Sequence, residues 1–186
     1  MQATMQIAQE HITAMAGDDL RLGLEQIFLQ HRELVFRAAY RVTGNASDAE
    51  DVLQTVFLRL VRQDKFPEIG NLPGYLHRSA VNASLDLLRG KKDTQSLPED
   101  GEPSRPEMAT TDHGPHSAEI RDWLRQALAR LNPKWAEMFV LRFIEDYSNR
   151  EIAGIMKTSS AVVAVVLHRT RTQLKKDFNA LTRGSR

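Results

Sequence analysis

The 186-residue chain contains no cysteine, so disulfides and thiolate metal sites are excluded. No apolar run approaches the length of a membrane span, and the N-terminus MQATMQIAQEHITAMAGDD lacks the basic start and long apolar core of a secretion signal. A soluble, cytoplasmic protein is expected. Phosphate-cradling glycine loops, nucleophile elbows and zinc-protease motifs are absent. The histidines, at 11, 31, 77, 113, 116 and 168, include one close pair, His113 and His116, in a stretch with no helix to orient it. No metal, no cofactor and no enzymatic activity are therefore expected.

The chain does have an uneven distribution of charge and proline. Its formal net charge is +1, but residues 1–92 sum to 0, residues 93–116 to −5 and residues 117–186 to +6. Between Gly90 and Pro115 lie four of the seven prolines and almost no large apolar side chain, so this segment cannot bury enough to order itself. It reads as a flexible acidic linker between two small domains, with a reach on the order of 80 Å when extended. A basic end behind an acidic bridge suits a nucleic-acid module, although a solvated surface gives the same count.

The most explicit pattern is SNREIAGIMKTSSAVVAVVLHRTR, from Ser148 to Arg171. Ser148 and Glu151 have capping-box spacing, and Ile152, Ile155 and Met156 follow as a short apolar stripe. Lys157-Thr158-Ser159 offers a turn, and a second helix starts at Ser159 or Ser160. Ala161 to Leu167 alone could be a buried strand. The longer pattern favours helix, because Val163, Leu167, Thr170 and Leu174 share one face and no glycine or proline interrupts. Such a pair is either a plain αα-hairpin or a helix-turn-helix whose second helix enters the major groove. On that helix Ala161, Val165, His168, Arg169 and Thr172 point outward.

Upstream, all-helical patterning continues. Leu20 to Val42 carries an apolar stripe that stops at Gly44-Asn45. Ser47 and Glu50 form a second capping-box pattern ahead of Ala49, Leu53, Val56, Phe57 and Leu60, which leaves Asp48, Asp51, Gln54 and Arg59 off the stripe for a partner. A third helix starts near Pro73. Leu76, Ala80, Ala83 and Leu87 make its core face; Arg78, Asn82, Asp86 and Arg89 make a polar face ending at Lys91-Lys92. That polar face is either an ordinary solvated one or a surface that neutralises phosphates and reads a base edge, with Tyr75 and Phe66 able to stack on an unpaired base. Trp123 and Trp135, with Leu124, Leu128, Phe139 and Leu141 at helical spacing, read as core anchors.

Taken together, these blocks resemble bacterial sigma factors of the extracytoplasmic-function group. NASDAEDVLQTVFLRLVR, from Asn45 to Arg62, is similar to the core-polymerase-binding segment; LPGYLHRSAVNASLDLLRGKK, from Leu72 to Lys92, to the promoter-melting segment; and Leu128 to Leu174 to the C-terminal promoter-binding domain. The resemblance implies an N-terminal extension (1–19), a region 2-like domain (20–92), the linker (93–116), a region 4-like helix-turn-helix domain (117–180) and a tail (181–186). No further domain for self-inhibition is expected after the last helix.

The roles implied follow residue by residue. Core RNA polymerase would be bound by Asp48, Asp51, Gln54, Phe57 and Arg59. The melted minus-ten strand would meet Phe66, Tyr75, Arg78, Asn82, Asp86, Arg89, Lys91 and Lys92, with the loop from Phe66 to Gly74 capturing a flipped base. Unstacking that base costs a few kcal/mol, about what protein contacts must offset. Duplex DNA of the upstream, minus-thirty-five element would meet Ser159, Ser160, Val165, His168, Arg169 and Arg171. Relatives are commonly held by an anti-sigma protein. Many carry glycine where this chain has Lys157, and Lys, Ser and Arg in place of Ala164, Val165 and Val166, so its promoter sequence does not follow by analogy. The alternative is a helix-turn-helix regulator acting without polymerase, which has no use for the acidic-capped helix ending at Arg62; a helical protein-binding adaptor is a third reading.

Overall fold

The computed structural model describes residues 2–62, 71–95 and 115–184, with side chains within 23–62, 71–92 and 118–183. Phe66, most of the loop before Gly74, and nearly all of the acidic linker lie outside the described residues. Those described form seven helices and no strand: α1 (Gln2–Thr43), α2 (Ala46–Val61), α3 (Leu72–Gln95), α4 (Pro115–Arg130), α5 (Pro133–Phe143), α6 (Asn149–Met156) and α7 (Ser160–Gly184). The all-α expectation holds.

Helix α1 starts at Gln2 rather than near Leu20, in a stretch where no proline precedes Pro67 to break it. It stops where Gly44 turns to a φ of 78°, its N–H donating to the Tyr40 carbonyl at 2.8 Å. Left-handed backbone costs an L-residue a Cβ clash that glycine avoids. A Cβ at Gly44 would also run into the Arg125 guanidinium, 1.6 Å away.

The turn moves the cap of α2. Asn45, extended at φ −141°, accepts the Asp48 N–H on its side-chain oxygen at 2.8 Å, and its amide donates to Asp48 Oδ2 at 2.5 Å. The reciprocal cap is thus Asn45 with Asp48, two residues ahead of the Ser47–Glu50 pattern. Asn45 wins because the residue after a left-handed glycine is already in the extended conformation an N-cap needs.

The first core gathers Val35, Ala38 and Ala39 of α1, Ala49, Val52, Val56, Phe57 and Leu60 of α2, and Leu76, Ala80 and Ala83 of α3. Phe28 meets Phe57 edge to face, with centroids 4.9 Å apart. The second core gathers Leu128, Met138, Val140, Leu141, Ile152, Val163, Leu167 and Leu174, and Val42, Val81 and Leu85 from the N-terminal helices join it. Trp123 packs on its edge against Phe178, with centroids 5.0 Å apart. Burying a side chain such as Leu85 is worth about 1.5–3 kcal/mol. Helix α3 therefore has two apolar faces, and the two domains pack on each other through the second. Sequence patterning found only the first.

Helices α6 and α7 meet at a bend of 105°, within the range of a helix-turn-helix. Lys157 takes the left-handed conformation at φ 51°, with Thr158 N–H on the Ala153 carbonyl at 2.9 Å and Lys157 N–H on that of Gly154 at 3.3 Å. This is a Schellman cap built on a lysine. The Ser159 hydroxyl caps α7 by accepting the Val162 N–H at 3.2 Å, and α7 itself begins at Ser160.

Two substitutions probe these turns in opposite directions. Gly44→Ala is expected to cost about 1–3 kcal/mol of unfolding free energy through strain alone. Lys157→Gly relieves the same strain and should gain about 0.5–1 kcal/mol. Urea denaturation at constant m-value reads both.

Candidate nucleic-acid and protein interface

The fold places the residues expected to meet polymerase, the melted strand and the upstream duplex in three different situations. On α2, Asp51, Gln54 and Arg59 are exposed. Asp48 is not: its side chain is 8% exposed, and Oδ1 accepts from Lys91 Nζ at 2.6 Å. It caps a helix and pairs with a cation already, so it cannot belong to an outward face. Phe57 is likewise buried against Phe28. In their place the sequence reading overlooked Leu58 and Val61, 54% and 57% exposed. With Asp51 and Gln54 they fall at helical spacing along one stripe. Two large apolar side chains left in water beside charges were the available signal, missed because only the polar positions off the core stripe were considered for a partner.

On α3, Arg78 and Asn82 share one face but do not face solvent together. Arg78 Nε donates to Glu137 Oε1 at 2.6 Å, and Asn82 Nδ2 reaches the same oxygen at 3.2 Å. Arg78 also donates to the Ile155 carbonyl at 3.2 Å and approaches Met156 Sδ at 3.6 Å. Asp86 and Arg89 pair with each other at 3.0 Å, three residues apart on the helix, so neither presents a lone charge. Lys91 is committed to Asp48. Tyr75 is half-buried against the first core, and Lys92 is exposed.

Beside that contact, Glu145 accepts from His77 Nε2 at 2.8 Å and from Arg41 Nη1 at 2.9 Å. Since the carboxylate can only accept, Nε2 carries the proton and Nδ1 faces the Tyr147 hydroxyl at 3.5 Å. Burial, and then the negative charges of Glu145 and Glu151, push the Tyr147 hydroxyl above its ordinary pKa.

On α7, Val163, Leu167, Thr170 and Leu174 are buried, and Ala161, Val165, His168, Arg169 and Thr172 are exposed. Ser160 is exposed in the first turn. Val162 and Lys176 extend the outward face and were not singled out from sequence. Arg171 turns aside: its guanidinium lies 5.8 Å from the Phe143 ring centroid. Together with His168 it borders an apolar groove of about 640 Å3 floored by Trp123, Leu124, Phe139 and Leu174. The outward face of the helix is therefore two valines, Arg169, Thr172 and Lys176. It suits phosphate contact at its ends and thymine methyl groups in the middle.

The α6 cap forms as the spacing predicted. Ser148 Oγ accepts the Glu151 N–H at 3.3 Å, and Glu151 Oε2 accepts the Ser148 N–H at 2.8 Å and its hydroxyl at 2.6 Å. Hydrogen bonds from the Ser148 side chain, then from its backbone, hold the Glu151 carboxyl below its ordinary pKa.

Comparison with known proteins matches residues 27–94 to sigma-70 region 2 and residues 121–174 to sigma-70 region 4, in that order. The chain belongs to the extracytoplasmic-function group of sigma factors. It is 33% identical over 153 residues to the sigma factor SigE of Mycolicibacterium smegmatis, covering 81% of this chain and 60% of that longer one. With SigW of Bacillus subtilis the identity is 28% over 163 residues, covering 81% and 86%. The solved structure of CnrH in complex with the cytosolic domain of CnrY aligns with a TM-score of 0.50 at 19% identity, covering 90% of this chain and 94% of that one, a likeness of fold. The exposed stripe of α2 and the Arg78–Asn82 face lie within region 2, and α6 and α7 lie within the region 4 match except for the last turns of α7. Among the described residues, no single helix is long and apolar enough to cross a membrane.

The cap of α6 gives a direct test of the helix-turn-helix geometry. Ser148→Ala should cost about 1 kcal/mol. Because the folded Glu151 carboxyl titrates below an unfolded one, its stabilising effect is present above the unfolded pKa and is lost as pH falls through the folded value. Glu151→Gln is therefore expected to be less stable than the parent near neutral pH, with the difference closing as pH falls through the ordinary glutamate range and below it. Thermal melts across that range check it.

Proposed function

We propose that this protein binds core RNA polymerase, directs it to specific promoters and helps open the minus-ten element, acting in the cytoplasm without catalysis of its own. The observation that carries this reading is the succession of region 2 and region 4 along the chain, with an outward α2 stripe that no packed core requires. In this assignment Asp51, Gln54, Leu58, Arg59 and Val61 meet polymerase. Arg78 and Asn82, aided by Tyr75 and Lys92, meet the melted strand. Arg169, Lys176 and the two valines of α7 meet the upstream duplex.

Division of labour between the two domains supports the same reading. Arg169 and Lys176 are the two cations on the valine-bearing reading face, so they supply phosphate attraction and little sequence information. Helix α2 supplies affinity of another kind, an apolar patch ringed by charge, which is how a transient protein interface is built. An anti-sigma protein is a further partner that the family resemblance supports; CnrH, similar in fold, was solved with the cytosolic domain of CnrY.

Run-off transcription with purified core enzyme on genomic DNA is the primary test; absence of any start site that depends on this protein would sink the proposal. Leu58→Asp should lower polymerase affinity at least about ten-fold without changing the melting temperature, because it places a charge in an interface and not in a core. Arg169→Ala should weaken upstream-duplex binding at all sequences and reduce the salt slope by about one. Asn82→Ala should leave polymerase affinity intact and slow promoter opening, read by permanganate footprinting.

A further inference from the structure

We infer that α6 carries a second grip on duplex DNA, a phosphate seat formed by Arg150, Gly154 and Lys157, which supplies charge that the start of α7 lacks. From Ser160 to Leu167, the first two turns of α7, there is no charged residue, and the two cations of its outward face, Arg169 and Lys176, come later along the helix. Attraction to duplex DNA comes chiefly from Lys and Arg at phosphates. A helix-turn-helix lays its first helix across the backbone beside the groove that its second helix enters. The cations placed to serve the start of α7 are therefore those of α6 and the turn.

Lys157 and Gly154 each depart from what the fold itself asks. Lys157 is exposed and held at φ 51°, where glycine is the residue without strain. Its ammonium makes no ion pair among the described residues. Strain kept at an exposed position with no partner inside the chain points outward, to a ligand. Gly154 is the reverse case. Its backbone is not left-handed, and a Cβ built there would meet nothing within 4 Å. Neither conformation nor packing calls for glycine, and alanine would favour the helix. What glycine leaves is bare, exposed backbone over which a phosphate or sugar can pass at contact distance. Arg150, one turn earlier on the same face, is also exposed and without an ion pair among the described residues. The acid of α6, Glu151, is folded back on the Ser148 N–H and hydroxyl at 2.8 and 2.6 Å, so its charge stays at the cap. Seven residues of helix separate Arg150 from Lys157 by about 10 Å, the axial rise of three phosphates of one strand at about 3.4 Å each. Cation, bare backbone, cation is a surface on which a strand can lie.

The seat is tested on the isolated full-length chain, by fluorescence anisotropy of a fluorescein-labelled, mixed-sequence duplex of about 20 base pairs at several KCl concentrations. Arg150→Gln and Lys157→Gly should each weaken binding about eight-fold at about 0.1 M salt and lower the slope of log affinity against log salt by about one; together they should lower it by about two. Lys157→Arg, which keeps the charge, should keep the slope. Gly154→Gln leaves the charge unchanged and covers the backbone, and should weaken binding several-fold. Lys157→Gly and Gly154→Gln suit the turn and the helix better than the natural residues do. Their urea midpoints should therefore rise while their affinities fall, an opposition that a merely structural role does not produce. A Lys157→Gly protein that failed to fold would be replaced by Lys157→Asn, since asparagine also tolerates left-handed backbone. Lys134→Gln, which removes an exposed cation at the start of α5, controls for net charge. Unchanged slopes in Arg150→Gln and Lys157→Gly would overturn the seat, as would an equal fall in Lys134→Gln; unchanged affinity in Gly154→Gln would strike the backbone contact from it. Use of the seat at promoters rests on the sigma-factor reading above: with core polymerase on a promoter mapped by run-off transcription, the same variants should weaken the closed complex. Absence of any such promoter would strike that reading and leave the seat to be judged on plain duplex, whereas a promoter complex indifferent to variants that weaken plain duplex binding would overturn the seat's upstream placement.

Discussion

Everything in this molecule hangs on helix α3 having to serve two cores at once. Its residues Leu76, Ala80 and Ala83 close the first domain, while Val81 and Leu85, about 100° around the helix, join the second. A helix buried on two faces leaves only a narrow strip for polar work, and on α3 that strip holds Arg78 and Asn82. The strip borders the domain interface by geometry, so its donors must be satisfied by the neighbouring domain or by something that replaces it. Buried polar groups are rarely left unpaired, and Glu137 is what the C-terminal domain offers.

The same constraint explains which parts of the fold could be read in the sequence. Periodicity predicted the all-helical architecture, the buried stripe of α7 and the α6 cap, because each depends on residues within a few turns of one another. Asn45 displaced Ser47 as the cap of α2 because of a turn one residue earlier, and only the backbone at Gly44 decides between two equally good capping patterns. Asp48 looked available because a helical wheel knows nothing of Lys91, 43 positions away. The domain interface left its trace as apolar residues, Val81 and Leu85, beside a stripe that had been read as exposed. Such residues are ambiguous until a partner surface is known. Glu137 gave no signal at all: one acid in PKWAEMFVLRF is an ordinary helical residue until Arg78 appears across from it.

Charge was legible in amount and not in arrangement. The basic surplus of the C-terminal segment is real, yet Arg171 leans on Phe143 and Arg125 lies against Gly44, so the net charge overstates what the reading face carries. Conversely, the two acids that organise the interface, Glu137 and Glu145, sit within the basic half of the chain. Sequence-wide charge describes long-range attraction to nucleic acid; it does not say which cations are already spoken for.

The exposed valines of α7 have a thermodynamic consequence for promoter recognition. Side chains that neither donate nor accept hydrogen bonds contribute to binding chiefly by shedding water, as does the thymine methyl group they would meet. Contact of that kind carries a negative heat capacity and strengthens relative to hydrogen-bonded readout as temperature rises toward the physiological range. A recognition helix built this way discriminates by dehydration more than by charge, so its preference among sequences should vary with warmth where its overall grip varies with salt.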